Sequence, residues 1–417
     1  MPLPRLSTNL LPDIAPTVQR PQYDRTTVTP GIVHIGLGAF HRAHQAAYID
    51  EVLAKDPSWG ITGISLKRPD TRDALRPQDG LYTLASRQDD QASHRIIGSV
   101  TDILYAGDGL APILDRLAHP ATRIVSLTIT EKGYCLDPAS GRLDETHPDI
   151  AADLNNRDPR NPSAPKSVPG LILAALRKRR EASTPPFTLL SCDNLRHNGR
   201  LLRTAITDLA ALTDPDMVTW LQDTLACPST MVDRIVPKTT QSDIDTIAQQ
   251  CGYQDAWPVV AEPFGHWVIE DNFPLGCPPF DSDDISFVQD VGPHEDMKLR
   301  LLNGSHSALA YVGLLAGHKL VSEAMADPEI ACYLNRLGQE LLPTVEAPPD
   351  VDLTAYLKSV HERFGNMAIQ HELRQIAADG SQKLPQRLLP AARFQAAREA
   401  PLEAIAKAVA AWIVCWQ

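Results

Sequence analysis

The stretch Gly31-Ile-Val-His-Ile-Gly-Leu-Gly-Ala-Phe-His-Arg-Ala-His44 reads as a strand, a turn and the start of a helix. A β-branched run enters a Gly-x-Gly turn, and alanine-rich sequence with helical periodicity follows it. Gly36 permits a tight turn, and Gly38 lets backbone N–H groups approach a pyrophosphate. His41 stands where the dinucleotide-binding fingerprint has its third glycine. The stretch therefore predicts either a dinucleotide-binding unit or an ordinary βα turn.

Further buried strands are expected at residues 60–66, 123–130 and 187–192, with helical stretches between them. This alternation predicts an α/β fold with a parallel sheet. Ligands of such sheets bind beyond the carboxyl ends of the strands. The polar residues expected at that edge are Thr130, Glu131, Lys132, Asp193 and Asn194. Residues 157–169 are proline-rich and predict a loop.

After about residue 290 the pattern changes to helices, at Met297–Ala316, Ile330–Leu341 and Leu402–Trp416. We therefore predict a Rossmann-like domain over residues 1–292 and a mainly helical domain over residues 293–417, with the boundary near Pro293.

The second domain contains Lys298, Asn303 and His306 at a K-x(4)-N-x(2)-H spacing. At roughly 100° per residue, the three side chains fit within one side of an α-helix whose remainder is leucine-rich. A lysine in apolar surroundings loses hydration, which favours the neutral amine that can accept a proton from an alcohol. The amide of Asn303 suits a developing alkoxide. The alternative is a solvated lysine beside a hydrogen-bonded Asn and His on an amphipathic helix.

Composition narrows the classes of partner. The formal net charge of −12 and the lack of a basic block with interleaved aromatics argue against nucleic acid. The chain has no stretch of 18 apolar residues and no apolar leader, which predicts a cytoplasmic protein without a membrane span. The seven cysteines form no C-x-x-C pair, which is typical of reduced thiols. His41 and His44 lack a third ligand and flank Arg42, so we predict no metal site.

Taken together, the motifs resemble the polyol-specific long-chain dehydrogenase/reductase family, also called the mannitol dehydrogenase family. The segments run in family order across nearly the whole chain. They are Gly36–His44, Thr128–Tyr134, Ser191–Asn194, Asn198–Gly199, Met231–Ile235, Glu262–Phe264, Trp267–Asp271, Lys298–His306 and Asp379–Lys383.

The resemblance implies catalytic roles at the matching positions. Lys298 would be the general acid/base of a metal-independent reaction. Asn303 and Asn194 would donate hydrogen bonds to the reacting oxygen, as in an oxyanion-type site. Glu295, three residues before the lysine, would relay protons to solvent. From the sequence alone, a surface carboxylate beside an Arg or Lys is an equal alternative for Glu295 and for Asp233.

The resemblance also implies which residues hold the substrate. His306 would orient substrate hydroxyls, and Asp233 would be a polar group of the substrate site. Lys132 and the run Gln382–Arg387, which contains Lys383, are similar to the branch of the family that reduces D-fructuronate to D-mannonate. A carboxylate substrate needs a cation in its pocket, which Lys132, Lys383 or Arg374 would supply. Each of these three side chains has a solvated position as its alternative.

The cofactor expected from the resemblance is NAD. Gly36, Gly38 and Phe40 would form the cofactor site, and Asp70 would bind the adenosine ribose. Lys67 and Arg68 stand beside Asp70 and could instead hold the 2′-phosphate of NADP, so NADP stays the less favoured alternative.

We therefore predict an NAD-dependent, reversible D-fructuronate reductase, either a monomer or a small homo-oligomer. The first alternative is another polyol or hexuronate dehydrogenase of the family, acting on mannitol and fructose, arabinitol or tagaturonate, because Leu66–Asp73 and Asp255–Val260 resemble the polyol dehydrogenases more closely. Family members also continue beyond the segment matching Ala411–Gln417, which predicts a shortened second domain and exposed apolar surface. A nucleotide-binding protein without turnover is the remote alternative.

Overall fold

The computed structural model describes residues 3–155 and 165–415. The chain divides into two compact units. Unit 1 comprises Met1–Ser86 and Ala92–Gln289, and unit 2 comprises Arg87–Gln91 and Asp290–Gln417. The sequence placed the domain boundary near Pro293, a few residues beyond Asp290. No helix in the described residues has the length and apolar character needed to cross a bilayer.

In the part of the chain that the structure describes, unit 1 contains three sheets and the helices that pack on them; only the last two residues of β4 and the first of β5 are assigned to unit 2. Its strands are β1 (Val18–Gln19), β2 (Pro30–Ile35), β3 (Gly60–Ser65), β4 (Tyr82–Gln88), β5 (Gln91–Ile97), β6 (Val100–Tyr105), β7 (Ile124–Leu127), β8 (Thr188–Ser191), β9 (Thr230–Asp233), β10 (Val259–Ala261), β11 (His266–Glu270) and β12 (Ile285–Val288). Its helices are α1 (Ala39–Ala43), α2 (Gln45–Val52), α3 (Asp70–Leu75), α4 (Ala111–Ala118), α5 (Pro148–Asn155), α6 (Val168–Glu181), α7 (Asn198–Thr213), α8 (Asp216–Thr224) and α9 (Gln241–Cys251).

The central sheet has the strand order β6-β3-β2-β7-β8, and its neighbouring strands pair in parallel. This is the order of a Rossmann-type sheet, with β2 and β7 on the two sides of the point where the chain reverses its winding direction. The two other sheets have the orders β1-β5-β4-β10 and β12-β11-β9. The predicted α/β class and parallel sheet are confirmed.

Successive residues of the central strands face opposite sides of the sheet, as the pleat requires. Val33, Val125 and Leu189 belong to the apolar cluster that also contains residues of α4, α6 and α7. Their neighbours Ile32 and Leu190 belong to a second cluster that contains residues of α2. Because both faces are covered, the strands read as continuous apolar runs in the sequence.

Two expected elements differ in detail from the structure. The strand predicted over 123–130 is β7, which ends at Leu127, so Thr128–Thr130 lie in the loop at its carboxyl end. Most of the loop predicted at 157–169 lies outside the described residues. At its end the prediction is wrong, because Val168 and Pro169 open helix α6. Ser167 caps that helix by accepting a hydrogen bond from Gly170 N, and proline is tolerated in a first helical turn.

Unit 2 is helical where it is described after Asp290, as predicted. It contains α10 (Gly292–Met297), a π-helix (Lys298–Gly304), α11 (Ser305–Leu315), α12 (Val321–Ala326), α13 (Pro328–Leu341), α14 (Leu353–Phe364), α15 (Leu373–Ala377), α16 (Gly380–Arg387), α17 (Leu389–Ala396) and α18 (Glu403–Cys415). Helix α11 is buried over Ser305–Gly313 and packs against α13, α15 and α18. The π-helix leads directly into this central helix.

Candidate functional site

The carboxyl ends of β2 and β7 lie side by side in unit 1. Gly36 follows β2 with a φ of 96°, a conformation that glycine adopts at little cost. A Cβ atom at Gly36 would lie 2.2 Å from the carbonyl oxygen of Thr128. A Cβ at Gly38 would meet only the Gly36 carbonyl oxygen, at 3.6 Å. The turn is therefore packed against the end of β7 at Gly36 and open at Gly38, which suits a backbone that a pyrophosphate approaches.

Phe40 and Asp70 occupy the positions expected for a cofactor site on either side of this turn. Phe40 is half-buried on α1, and its ring stacks on that of His44 with 5.1 Å between centroids. Asp70 is the first residue of α3, which follows β3. Its carboxylate forms an ion pair with Arg68. A half-exposed carboxylate after the second strand of the sheet fits the ribose-binding position.

Asp193 links the loops that follow β7 and β8. Its buried carboxylate accepts hydrogen bonds from Ile129 N at 3.1 Å, Thr130 N at 2.8 Å and the Tyr134 hydroxyl at 2.8 Å. Thr130 has a φ of 62°, which is unusual for a β-branched residue. Burial raises the pKa of the Asp193 carboxyl. This network holds the Thr128–Tyr134 loop against the segment that carries Asn194.

The remaining unit 1 candidates differ in exposure. Lys132 is exposed on the single helical turn Glu131–Tyr134, and Asn194 is exposed after β8. Asp233 is buried at the end of β9 and pairs in register with His266. Asn198, which the sequence marked only as part of a motif, donates hydrogen bonds from its amide to the carbonyl oxygens of Asp193 and Thr230. It thereby fixes the segment after the end of β8 relative to the start of β9.

In unit 2, Lys298, Asn303 and His306 are all buried, with 7%, 8% and 8% of their surface exposed. The α-helical spacing assumed for them is wrong, because Lys298–Gly304 is a π-helix. Each N–H of a π-helix bonds to the carbonyl five residues earlier, so Asn303 lies about one turn beyond Lys298 and nearly on the same face. The π-helix therefore brings this lysine and this amide closer together than an α-helix would.

The buried side chain of His306 is surrounded by rings and half-buried cations. Its ring stacks on Phe364, with centroids 4.8 Å apart, and meets His371 edge-on at 5.1 Å. Burial lowers the pKa of His306 well below its usual range, and electrostatic interactions with His371, Arg387, Arg363 and Lys383 lower it further. Its Nε2 and the Oδ1 of Asn303 have no hydrogen-bond partner among the described residues. Such orphaned buried atoms are expected where a polar ligand binds.

Of the three cations predicted for a substrate carboxylate, only Lys383 joins this cluster by a described interaction. Its Nζ donates to the carbonyl oxygen of Ile376 at 3.1 Å. Arg374 is exposed on α15 and is not among the charges that act on His306. Arg363 and Arg387 were not singled out from the sequence, although Arg387 ends the motif run Gln382–Arg387.

Arg387 also contacts the end of the π-helix and the start of α11. Its guanidinium donates to Ser307 Oγ at 2.9 Å and, over 3.5 Å, to the Asn303 carbonyl oxygen. Glu295 is buried on α10, with 4% of its surface exposed, so the alternative of a surface carboxylate is wrong for this residue. Within the described residues, no group of three or more His, Cys, Asp or Glu side chains is arranged to hold a metal ion.

The fold and the two sets of polar residues define a dehydrogenase with a dinucleotide-binding Rossmann domain and a helical domain. Comparison with protein families agrees with this class. Residues 30–282 match the mannitol dehydrogenase Rossmann domain, and residues 290–416 match the mannitol dehydrogenase C-terminal domain. The chain therefore belongs to the mannitol dehydrogenase family, as the sequence motifs predicted. It is an oxidoreductase that acts on a CH–OH group, so the alternative without turnover is not supported.

Two curated relatives with different activities are similar to the chain to nearly the same degree. The D-mannonate oxidoreductase of Escherichia coli strain K12 is 44% identical over 95% of this chain and 82% of its own. A mannitol 2-dehydrogenase of Pyricularia oryzae is 42% identical over 93% of this chain and 79% of its own. Among solved structures, the Pseudomonas fluorescens mannitol 2-dehydrogenase in ternary complex with NAD and D-mannitol is 41% identical. It matches with a TM-score of 0.91 over 98% of this chain and 84% of its own.

Proposed function

We propose that the protein catalyses the NAD-dependent, reversible reduction of D-fructuronate to D-mannonate, as a fructuronate reductase (D-mannonate oxidoreductase). The observation that carries this proposal is the positive charge around buried His306. Lys383, Arg387 and Arg363 all act on this imidazole. A hexuronate would bring a carboxylate to these cations, whereas a polyol carries no charge that could interact with them.

The cofactor proposal rests on the unit 1 turn. Gly36, Gly38 and Phe40 would hold the dinucleotide, and Asp70 would bind the adenosine ribose of NAD. The ion pair between Asp70 and Arg68 supports NAD over NADP, because the carboxylate would repel a 2′-phosphate and already engages the nearest arginine. When bound, the nicotinamide supplies the hydride for reduction and accepts it for oxidation.

Within this proposal, Lys298 moves the proton at the reacting oxygen. During reduction its ammonium protonates the substrate oxygen as the carbonyl becomes an alcohol, and during oxidation its amine takes that proton back. Asn303, one π-helical turn away, donates a hydrogen bond to the same oxygen, and Asn194 is proposed as a second donor. Buried Glu295 exchanges the proton with solvent. His306 and Asp233 orient substrate hydroxyls, and no metal is needed.

A mannitol 2-dehydrogenase is the second candidate. It is favoured by the similar identities of the two kinds of relative and by the close structural match to the complex with D-mannitol. In that case the cations around His306 would serve only to orient hydroxyls and to pack the helices.

A spectrophotometric panel decides between the candidates. The substrates are D-fructuronate, D-tagaturonate, D-fructose, D-mannonate, D-mannitol and D-arabinitol, each assayed with both nicotinamide cofactors. We expect the highest kcat/KM for D-fructuronate with NADH and for D-mannonate with NAD. A higher value for D-fructose or D-mannitol would overturn the hexuronate assignment and leave the polyol dehydrogenase.

A further inference from the structure

The third position of the glycine fingerprint is filled by a buried histidine. That glycine normally allows the helix to pack closely on the strand. Here His41 of α1 is 1% exposed, and its ring lies flat on the ring of His34 from β2. The two centroids are 3.4 Å apart and the planes differ by 15°. Helix and strand therefore meet through a pair of stacked rings instead of through bare backbone.

His34 is also hydrogen-bonded to the strand on the other side of the switch point. Its Nδ1 lies 2.8 Å from Ser126 Oγ on β7, and its Nε2 lies 2.9 Å from Thr128 Oγ1 in the following loop. The Thr128 hydroxyl in turn donates to the Gly36 carbonyl oxygen at 2.8 Å. Burial lowers the pKa of His34 to about 3, so the imidazole is neutral at physiological pH.

The acceptors around His34 favour a proton on its Nε2 atom. When the Thr128 hydroxyl donates its hydrogen to the Gly36 carbonyl oxygen, its own oxygen accepts from His34 Nε2. The Gly36 carbonyl oxygen, 3.3 Å from Nε2, is also an acceptor. Nε2 is therefore protonated, and Nδ1 accepts the hydrogen of the Ser126 hydroxyl. The result is a chain of one-way hydrogen bonds from Ser126 through His34 and Thr128 to Gly36.

The end of this chain is the carbonyl group that shapes the turn. Gly38 N also donates to the Gly36 oxygen, at 2.6 Å, which orients the backbone between the two glycines. Because Gly36 has a positive φ and touches the Thr128 carbonyl, a rotation of its peptide would change which N–H groups face the open side. Fixing this carbonyl therefore preorganises the turn for a bound anion.

We propose that His34 is a positioning residue of the dinucleotide site. As its Nε2–H tautomer, His34 locks the Gly36–Gly38 turn to the end of β7. His41 takes over the packing role of the missing glycine. This inference rests on the proposed binding of NAD. It predicts that His34 and Thr128 affect cofactor affinity although their side chains lie beneath the turn.

The first test compares two valine variants of one sheet. Thr128→Val cuts the link between His34 and Gly36, whereas Thr188→Val on β8 removes a buried hydroxyl that has no hydrogen-bond partner among the described residues. Thr128→Val should raise the Kd for NAD, measured by calorimetric titration, about five- to tenfold, as expected for one lost hydrogen bond. The kcat at saturating NAD and the KM for the sugar should change less than twofold. Thr188→Val should match the wild type in all three quantities.

Variants of His34 test the same step with a rescue. His34→Phe keeps a flat ring against His41 but loses both hydrogen bonds, so NAD should bind about tenfold more weakly or worse. His34→Gln keeps one N–H donor for Thr128 and should recover part of the affinity. Unchanged NAD affinity in Thr128→Val, or equal losses in the Phe and Gln variants, would overturn the proposal.

A measurement on the wild-type protein covers the case in which His34 variants do not fold. Long-range ¹H–¹⁵N spectra of histidine-labelled protein should show a neutral His34 protonated at Nε2, and Thr128→Val should perturb that signal. A proton at Nδ1 would overturn the proposal. If the wild-type protein binds neither nicotinamide cofactor, the proposed function itself fails. Tight binding that the His34 and Thr128 variants leave unchanged is a different result, which overturns only this inference.

Discussion

Replacing Lys383 by methionine tests the carboxylate site directly. Lys383 is a half-buried residue of α16 whose charge acts on His306 and His371. A hydrogen bond from a charged group contributes about 1.5–3 kcal/mol, and partial exposure to solvent favours the lower end of this range. We therefore expect the kcat/KM for D-fructuronate to fall about tenfold. Methionine retains most of the apolar stem, so the loss reports mainly on charge.

The loss should depend on the substrate. Any side activity on D-fructose should fall less than threefold, since an uncharged ketose loses no ionic contact. The assay is the oxidation of NADH at 340 nm over a range of concentrations of each ketose. The matched control is Lys358→Met. This substitution removes an exposed ammonium of α14 and breaks its long ion pair with Glu362. That control should behave as wild type with both substrates.

Two further results make the Lys383 experiment decisive. Burial lowers the pKa of His371 to about 4, and the charge of Lys383 contributes to this lowering. Lys383→Met should therefore raise that pKa. Histidine NMR signals followed through a pH titration measure this change. Lys132→Met addresses the other predicted lysine. Equal losses on D-fructuronate and D-fructose in Lys383→Met would refute the charge argument, and a selective loss in Lys132→Met alone would move the carboxylate site to the β7 loop.

Four other outcomes are expected. Lys298→Ala should lower kcat by about 10² to 10⁴ without changing the Kd for NAD, and exogenous primary amines should restore part of the rate; near-normal turnover would remove Lys298 from the mechanism. Asp70→Ser should raise the KM for NAD about tenfold and improve the use of NADP by releasing Arg68, whereas an unchanged cofactor preference would exclude Asp70 from the ribose site. Activity should survive dialysis against a chelator; a loss that zinc reverses would contradict a lysine-based mechanism. His34 and His371, with pKa values lowered to about 3 and about 4, stay neutral in the folded protein at pH 5. The unfolded chain protonates both histidines below about pH 6.5. The free energy of unfolding should therefore fall by about 2 kcal/mol for each histidine between pH 7 and pH 5. Urea unfolding should show a smaller fall for His371→Asn, and an identical fall would refute this assignment.

The central sheet could be predicted from the sequence because its signals are local. Each strand is a short apolar run that ends in polar residues, and both of its faces are buried. The Gly36 turn was also predictable, since a positive φ beside a neighbouring strand selects glycine. The fingerprint did not reveal that His41 stacks on a second ring. That ring belongs to His34, whose position in the sequence resembles that of an ordinary strand residue.

The three cations near His306, which are Lys383, Arg363 and Arg387, were predicted only in part, and the reason differs from that for His41. Lys383 was found through its motif, but Arg363 lies on α14 and reads as a solvated helix residue in the sequence. Its importance depends on a tertiary contact between α14 and the helix that carries His306. The sequence predicts Arg374 as a cation of the substrate pocket from its place in the chain. Its exposed position on α15 could not be predicted from the sequence.

The π-helix depends both on its local sequence and on a tertiary contact with a distant residue. Lys298–Gly304 has good α-helical residues around it, and nothing in its own seven letters requires the wider turn. A π-helix needs some compensation for its less favourable hydrogen bonding. Arg387, more than 80 residues later, donates to Ser307 and over a longer distance to the Asn303 carbonyl oxygen, so it stabilises the end of the π-helix from outside. Because the same guanidinium contributes to the positive charge at His306, an anionic substrate and the catalytic geometry of Lys298 and Asn303 would be coupled through one side chain. Loss of Arg387 should therefore lower kcat as well as raise the KM for a hexuronate, which a cation that serves only for binding would not do.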